Sequence, residues 1–179
     1  MRIGQRIIFG AAMVLTTLTA ARYMTAQAGT TSAPVIGGLA APAPSADYYT
    51  PEKLQAIGAE MLAKAKASPG GSAGETIETY PGHYITITAR VKSGGGEFHT
   101  HYNDIFLVLD GEGTELTGGS IPDVKFDAAG EGRGAAVVGG TPHKLTKGDV
   151  LHINAATPHQ AIMEPGKSLV LMVIKVHQD

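Results

Sequence analysis

The stretch Glu97-Phe98-His99-Thr100-His101-Tyr102-Asn103-Asp104 sets two imidazoles two residues apart, with a carboxylate three residues after the second. It runs into Ile105-Phe106-Leu107-Val108-Leu109 and closes at Asp110-Gly111. In a β-strand, residues i and i+2 project to the same face. The spacing therefore predicts that His99 and His101 point together. Imidazole nitrogens and a carboxylate oxygen are ligands for first-row divalent metals, so the expected chemistry is metal binding inside a β-barrel. Asp104 has the opposite strand parity to His101 and joins the histidines only if Tyr102-Asn103 forms a bulge or kink. Phe106 and Val108 share Asp104's parity and would line the interior beside it.

These residues need strands to hold them, and the chain supplies strand patterns on both sides. Glu75 to Tyr80 and His83 to Lys92 are rich in Thr, Ile, Tyr and Val and are bounded by Pro81-Gly82 and Ser93-Gly94-Gly95-Gly96. Such runs between turn residues read as strands. Ile105 to Leu109 is another, and Asp110-Gly111-Glu112-Gly113 turns it toward a return strand at Thr114 to Thr117. Residues 118–142 are glycine-rich and irregular. They predict an elongated hairpin or loop over one mouth of the domain, with Ala135 to Val138 as a strand inside it. Lys147-Gly148-Asp149 turns into Val150 to Ile153, and Ser168 to Val176 is an apolar, β-branched closing strand. Many short strands at regular spacing argue for a sandwich or barrel.

Upstream, Thr50-Pro51-Glu52 is a helix start, with a capping hydroxyl, proline at the first helical position and an acid in the first turn. Leu54, Ile57, Met61 and Leu62 recur at helical spacing until Ser68-Pro69-Gly70-Gly71 ends the element. This predicts one amphipathic helix over about 51–67, covering one face of the domain. Residues 29–46 (GTTSAPVIGGLAAPAPSA) hold small residues and proline, which bury too little to offset their ordering entropy. They read as a flexible linker. At the start, Arg2 and Arg6 precede an apolar stretch from Ile7 to Ala21, and Ala26-Gln27-Ala28 has small residues at −3 and −1. That is the layout of a secretory signal peptide cleaved after Ala28, and it implies a periplasmic or secreted protein. The apolar run is shorter than the ~20 residues a spanning helix needs, so no membrane association is expected after cleavage.

The 179 residues fit one domain plus a leader, 47–179 by this reading, with the barrel over about 75–176. The absence of Cys excludes disulfides, thiolate metal sites and thiol catalysis. A formal net charge of −2 gives no basic surface for nucleic acid.

Two signatures carry a resemblance. Gly94-Gly95-Gly96 followed by His99-x-His101, Asp104 and Gly111 resembles the first signature of the cupin family. Gly148-Asp149, Ile153 and Pro158-His159 resemble the second. The resemblance covers about residues 75–176 and implies an all-β fold, a single jelly-roll β-barrel with the two signatures on facing strands. It also implies one divalent transition metal (Fe, Mn, Ni, Zn or Cu), held at the positions occupied here by His99, His101, Asp104 and His159. In this family the carboxylate is usually Glu with one residue more of spacing, although the distance from Asp104 to Gly111 is kept. If Asp104 falls short, the metal has three histidines, and the carboxylate orients a ligand or a bound water. His152, between Leu151 and Ile153, reads as a packing residue or rim hydrogen-bonder. His83, His143 and His177 read as surface or loop residues.

Two functions follow from the resemblance. The first is a metal-dependent enzyme acting on a small oxygenated or carbonyl substrate, of dioxygenase, isomerase, decarboxylase or lyase type, with Glu97 and Tyr102 as neighbouring acid–base candidates. The second is a non-catalytic periplasmic cupin that binds a small molecule or a metal. Homodimers that pair sheets or exchange the 75–80 strand are an arrangement the family implies.

Overall fold

The computed structural model describes residues 46–178, together with the backbone at Val35–Ile36 and Leu39–Ala40. The chain divides into two units, Met1–Ala46 and Asp47–Asp179. In the first, β1 (Val35–Ile36) and β2 (Leu39–Ala40) form a short antiparallel ladder. The predicted signal segment and the remainder of the predicted linker lie outside the described residues.

The second unit begins with α1 (Pro51–Ala67). Thr50 Oγ1 accepts the Lys53 N–H at 3.2 Å, and Pro51 occupies the first turn, where no intrahelical partner is required. The Ser68 N–H closes the other end on Lys64 O at 2.9 Å, just before Pro69. Ten strands follow: β3 (Ser72–Tyr80), β4 (His83–Arg90), β5 (Gly96–His99), β6 (Tyr102–Thr117), β7 (Lys125–Phe126), β8 (Glu131–Gly134), β9 (Thr141–Thr146), β10 (Val150–Ile153), β11 (His159–Ile162) and β12 (Leu169–His177). They pair antiparallel in the order β3-β4-β12-β6-β11-β5-β8-β7, with β9 and β10 also on β6. The result is a curled, barrel-like antiparallel sheet with one helix, as the sequence predicts.

β6 joins the two halves of the curl. Its first part pairs with β12 and β10, and its second part with β9 and β11. Gly111 lies near the changeover at φ 79°, and a Cβ there would sit 2.0 Å from Ser168 O. Only glycine tolerates that backbone and that approach.

Strand alternation divides the interior from a second, sealed layer. On β4, Ile87 and Ala89 turn outward onto α1, where they pack with Met61, Ala65 and Val170. Tyr84, Thr86, Thr88 and Arg90, the even positions, turn inward and line a cavity. One part of the barrel interior is apolar, with Phe106, Val108, Leu145, Ile153, Met163, Leu169, Leu171 and Val173 in one cluster.

The strand expected at Ala135 to Val138 is a single bridge between Val138 and Ser120; the strand in this region is β8, four residues earlier. The Val137 N–H donates instead to Gln160 Oε1 at 2.8 Å, so a side chain takes the place of a ladder partner. His152 is exposed, on the outer face of β10. Among the described residues, no helix is long and apolar enough to cross a membrane.

Candidate metal centre

β5 presents Glu97 and His99 on one face, and β11 places His159 directly opposite Glu97. The ligand atoms of Glu97, His99 and His159 all lie within 4.8 Å of one another. β6 adds Asp104 from the next turn of chain. Its Oδ2 is 3.5 Å from His99 Nε2 and 3.6 Å from His159 Nε2, and Glu97 Oε2 is 3.7 Å from His99 Nε2. Glu97, His99 and His159 thus converge on one point, and Asp104 borders it beside both imidazoles. His99 and Asp104 are each 3 % exposed and His159 4 %.

Both histidines are oriented to offer that nitrogen. His99 Nδ1 lies 2.6 Å from Glu131 Oε2, and a carboxylate there takes the Nδ1 proton as a hydrogen bond. His159 Nδ1 donates to Thr157 O at 3.0 Å, since a carbonyl can only accept. In the neutral ring with its proton on Nδ1, Nε2 is the lone pair that faces the cluster, the arrangement by which partners outside a metal's ligand set fix tautomer and ring orientation. His99 Nε2 is buried and has no hydrogen-bond partner. Burial, the largest influence, pushes His159 below its ordinary value and favours the neutral imidazole that ligates metals. A buried lone pair without a donor, a second one beside it and two carboxylates fit a divalent transition metal.

The structure does not bring His101 to this point. β5 ends at His99, and Thr100-His101 form a bend before β6 starts. The bend is fixed by Thr100 N to Gly130 O (3.1 Å), Ala156 N to His99 O (2.8 Å) and Gln178 N to His101 O (2.7 Å). Alternation stops there, so the expected same-face partnership of His99 and His101 does not form. His101 is exposed, its ring stacked on His177 at 6.0 Å. The same bend solves the parity problem of Asp104: the kink falls at 100–101, not at Tyr102-Asn103, and turns Asp104 inward. The pair sharing a face is Glu97/His99, one step earlier than His99/His101.

Asp104 also meets a cation. Lys175, its register partner on β12, donates to Oδ2 at 2.9 Å and stands 2.7 Å from Oδ1 as an ion-pair contact without hydrogen-bond alignment. A lysine inside the apolar run of β12, at the inward parity of Leu171 and Val173, was the available sequence signal. Glu115 was less legible. It is 2 % exposed, faces the cavity from β6, and is pushed up to about 8 by burial, with repulsion from Glu97 and Asp104 adding to it and Arg90 opposing. Burial favours its protonated form.

The cavity has a volume of about 430 Å³ and is lined in part by β3. Glu97, Asp104, Glu115 and His159 share it with Phe106, Leu171 and Val173. It is of metabolite size, with mixed polar and apolar walls.

No protein-family model matches the chain, and no curated protein matches it. Solved structures do. The polyketide cyclase RemF from Streptomyces resistomycificus aligns at 16% identity over 60% of this chain and 68% of its own, with a TM-score of 0.43. A cupin superfamily protein from Desulfitobacterium hafniense aligns at 15% identity over 60% and 78%, with a TM-score of 0.42. A cupin 2 conserved barrel domain protein from Rhodopseudomonas palustris aligns at 16% over 59% and 60%, with a TM-score of 0.42. The curled antiparallel sheet fits a cupin fold, and that description rests on the chain's own strand pairing.

Proposed function

We propose that Glu97, His99 and His159, with Asp104 alongside, hold one divalent transition metal and that the barrel is a metal-dependent enzyme acting on a small oxygenated or carbonyl substrate. The single observation that carries this is the convergence of the buried His99 and His159 side chains with the Glu97 carboxylate, Asp104 bordering them, beside a metabolite-sized cavity. A bound metal would supply Lewis acidity toward a substrate oxygen.

The chain's own residues do the rest. Glu131 and the Thr157 carbonyl hold the two imidazoles in the ligating tautomer. Lys175 holds the Asp104 carboxylate against β12 and offsets its charge. Glu115 holds a proton at its carboxyl inside the cavity, where it can donate to a substrate oxygen as charge develops. Phe106, Leu171 and Val173 keep that part of the wall apolar and limit water.

One observation favours the alternative, a barrel that binds without turnover: both Asp104 oxygens already face Lys175, so the carboxylate is shared. A screen of small carbonyl and carboxylate compounds on metal-loaded protein separates the two. The enzyme reading predicts turnover that His159→Ala abolishes while the fold survives; binding without turnover across the screen would leave the binder. The leader pattern supports export, and the protein recovered from the periplasm is expected to begin at Gly29.

A further inference from the structure

Arg90 closes β4 on the inward face and is unlike the other cations of the barrel. Lys175 is engaged by Asp104, and Arg133 reaches Glu131 at 3.3 Å. The Arg90 guanidinium, only 22 % exposed, has one charged contact among the described residues, Glu97 Oε1 at 3.9 Å, and no hydrogen bond. The guanidinium, a planar fork of five N–H donors, therefore lines the cavity with no hydrogen-bond acceptor engaged. The fork is held in place from behind, since Nη1 would be 2.8 Å from a Cβ at Gly94, so it lies across that glycine's backbone.

Apart from Glu97 and the buried Glu115 carboxyl, the residues beside the fork are hydroxylic. Ser72 is Arg90's register partner on β3, and Thr88 is the next inward residue on β4. Thr76 and Thr86 continue the wall, their hydroxyls 3.2 Å apart. The other oxygen of Glu97 faces His99, so the guanidinium and the ligand cluster are separated by a single carboxylate. Once Glu97 serves the metal, Arg90 loses its nearest counter-charge.

We infer that Arg90, flanked by the Ser72 and Thr88 hydroxyls, is the anchor for the carboxylate group of a small substrate whose second oxygen faces the Glu97–His99–His159 cluster. The ligand class is short-chain carboxylates bearing a further oxygen: 2-oxo acids, 2-hydroxy acids or dicarboxylates. A planar carboxylate matches the guanidinium fork with two parallel hydrogen bonds. A phosphate dianion fits less well, because the Glu97 carboxylate borders the site and no second unpaired cation lines it. This deepens the enzyme reading and rests on it for the role of the second oxygen.

Calorimetric titration of the metal-loaded protein with malonate and pyruvate, against their neutral amides malonamide and pyruvamide and against inorganic phosphate, tests it. The acids are expected to bind at least about tenfold more tightly than the amides, the difference that hydrogen bonds to a charged group supply. Arg90→Gln is expected to weaken the acids by about ten- to a hundredfold and leave the amides unchanged, with Arg90→Lys in between. The acid–amide comparison needs only wild-type protein, so it stands even if Arg90→Gln does not fold. Equal affinity for acids and amides, no binding of either acid, full acid affinity in a folded Arg90→Gln, or phosphate bound in preference would each overturn the anchor. The same titration on chelator-treated protein keeps the two readings apart. Arg90-dependent acid binding by a protein that takes up no metal would sink the metal centre and leave the anchor; stoichiometric metal with no preference for acids would do the reverse.

Discussion

The two faces of β4 and β12 belong to different regions and follow opposite rules. Toward α1, Ile87, Ala89 and Val170 pack against Met61 and Ala65 with no polar atom to satisfy, and this layer is sealed. Toward the barrel, Thr86, Thr88, Arg90 and Lys175 occupy the alternate positions of the same strands, beside a cavity that remains partly open. A strand's period of two lets one segment serve both. The apolar layer supplies the hydrophobic free energy that holds the sheet curled, which permits the inner face to carry charges and an unfilled space that would not fold by themselves.

The difference should survive mutation as a separation of stability from binding. Met61→Ala, at 1 % exposure, is expected to cost about 2–5 kcal/mol in denaturant unfolding, the range for truncating a buried large side chain. Metal stoichiometry in the folded fraction should be unchanged.

Glu115→Gln on the cavity side should act in the opposite direction. Its carboxyl is raised from 4.5 to about 8 in the folded chain, so between those pH values the unfolded chain releases a proton that the native chain retains. Stability of the metal-free protein therefore falls as pH rises through that window and is flat below and above it. Gln removes the slope and is expected to stabilise the protein at pH 8 by on the order of 4 kcal/mol, with little change at pH 4.5. Unfolding curves at the two pH values read this directly.

Glu131→Gln keeps shape but not charge next to His99 Nδ1. A loss of about ten- to a hundredfold in metal affinity is expected, as for other partners that orient a ligating histidine, with turnover at saturating metal largely restored. The smallest effect belongs to His101→Ala, whose ring stands outside the cluster. Its metal affinity should stay within about twofold of wild type, a change of under ~0.5 kcal/mol, and a large loss would return His101 to the ligand set.

Much of this contrast was legible in the sequence, and the failures have local causes. The helix was readable from Thr50-Pro51 and the Leu54, Ile57, Met61 spacing, because caps and periodicity are short-range. The strands on either side of Gly94-Gly95-Gly96 were readable for the same reason, but the hairpin turn expected at Asp110-Gly111-Glu112-Gly113 does not form: β6 runs unbroken from Tyr102 to Thr117, because its two halves pair with different strands instead of with each other. Alternation correctly set Asp104, Phe106 and Val108 on one face, and His159 arrives beside His99 as the second signature implies. His101 was misplaced because alternation was carried across Thr100-His101, where backbone hydrogen bonds with Gly130, Ala156 and Gln178 bend the chain. None of those three is near in sequence. Glu97, the same-face partner of His99, was in view as an acid–base candidate and not as a ligand. Glu115, Glu131, Arg90 and Lys175 come to the site from strands whose register no local pattern fixes.

The central claim is that Glu97, His99 and His159 form the core of a metal centre in which His101 has no part. It is tested most directly by titrating chelator-treated protein with Zn²⁺ and with Mn²⁺ and measuring stoichiometry and affinity in wild type, Glu97→Gln, His99→Ala, His159→Ala and His101→Ala. One ion per chain is expected in wild type and in His101→Ala, and loss of stoichiometric binding in each of the other three, with all five proteins folded. Failure of the wild type to take up either ion, or uptake that depends on His101 and not on Glu97, would contradict it.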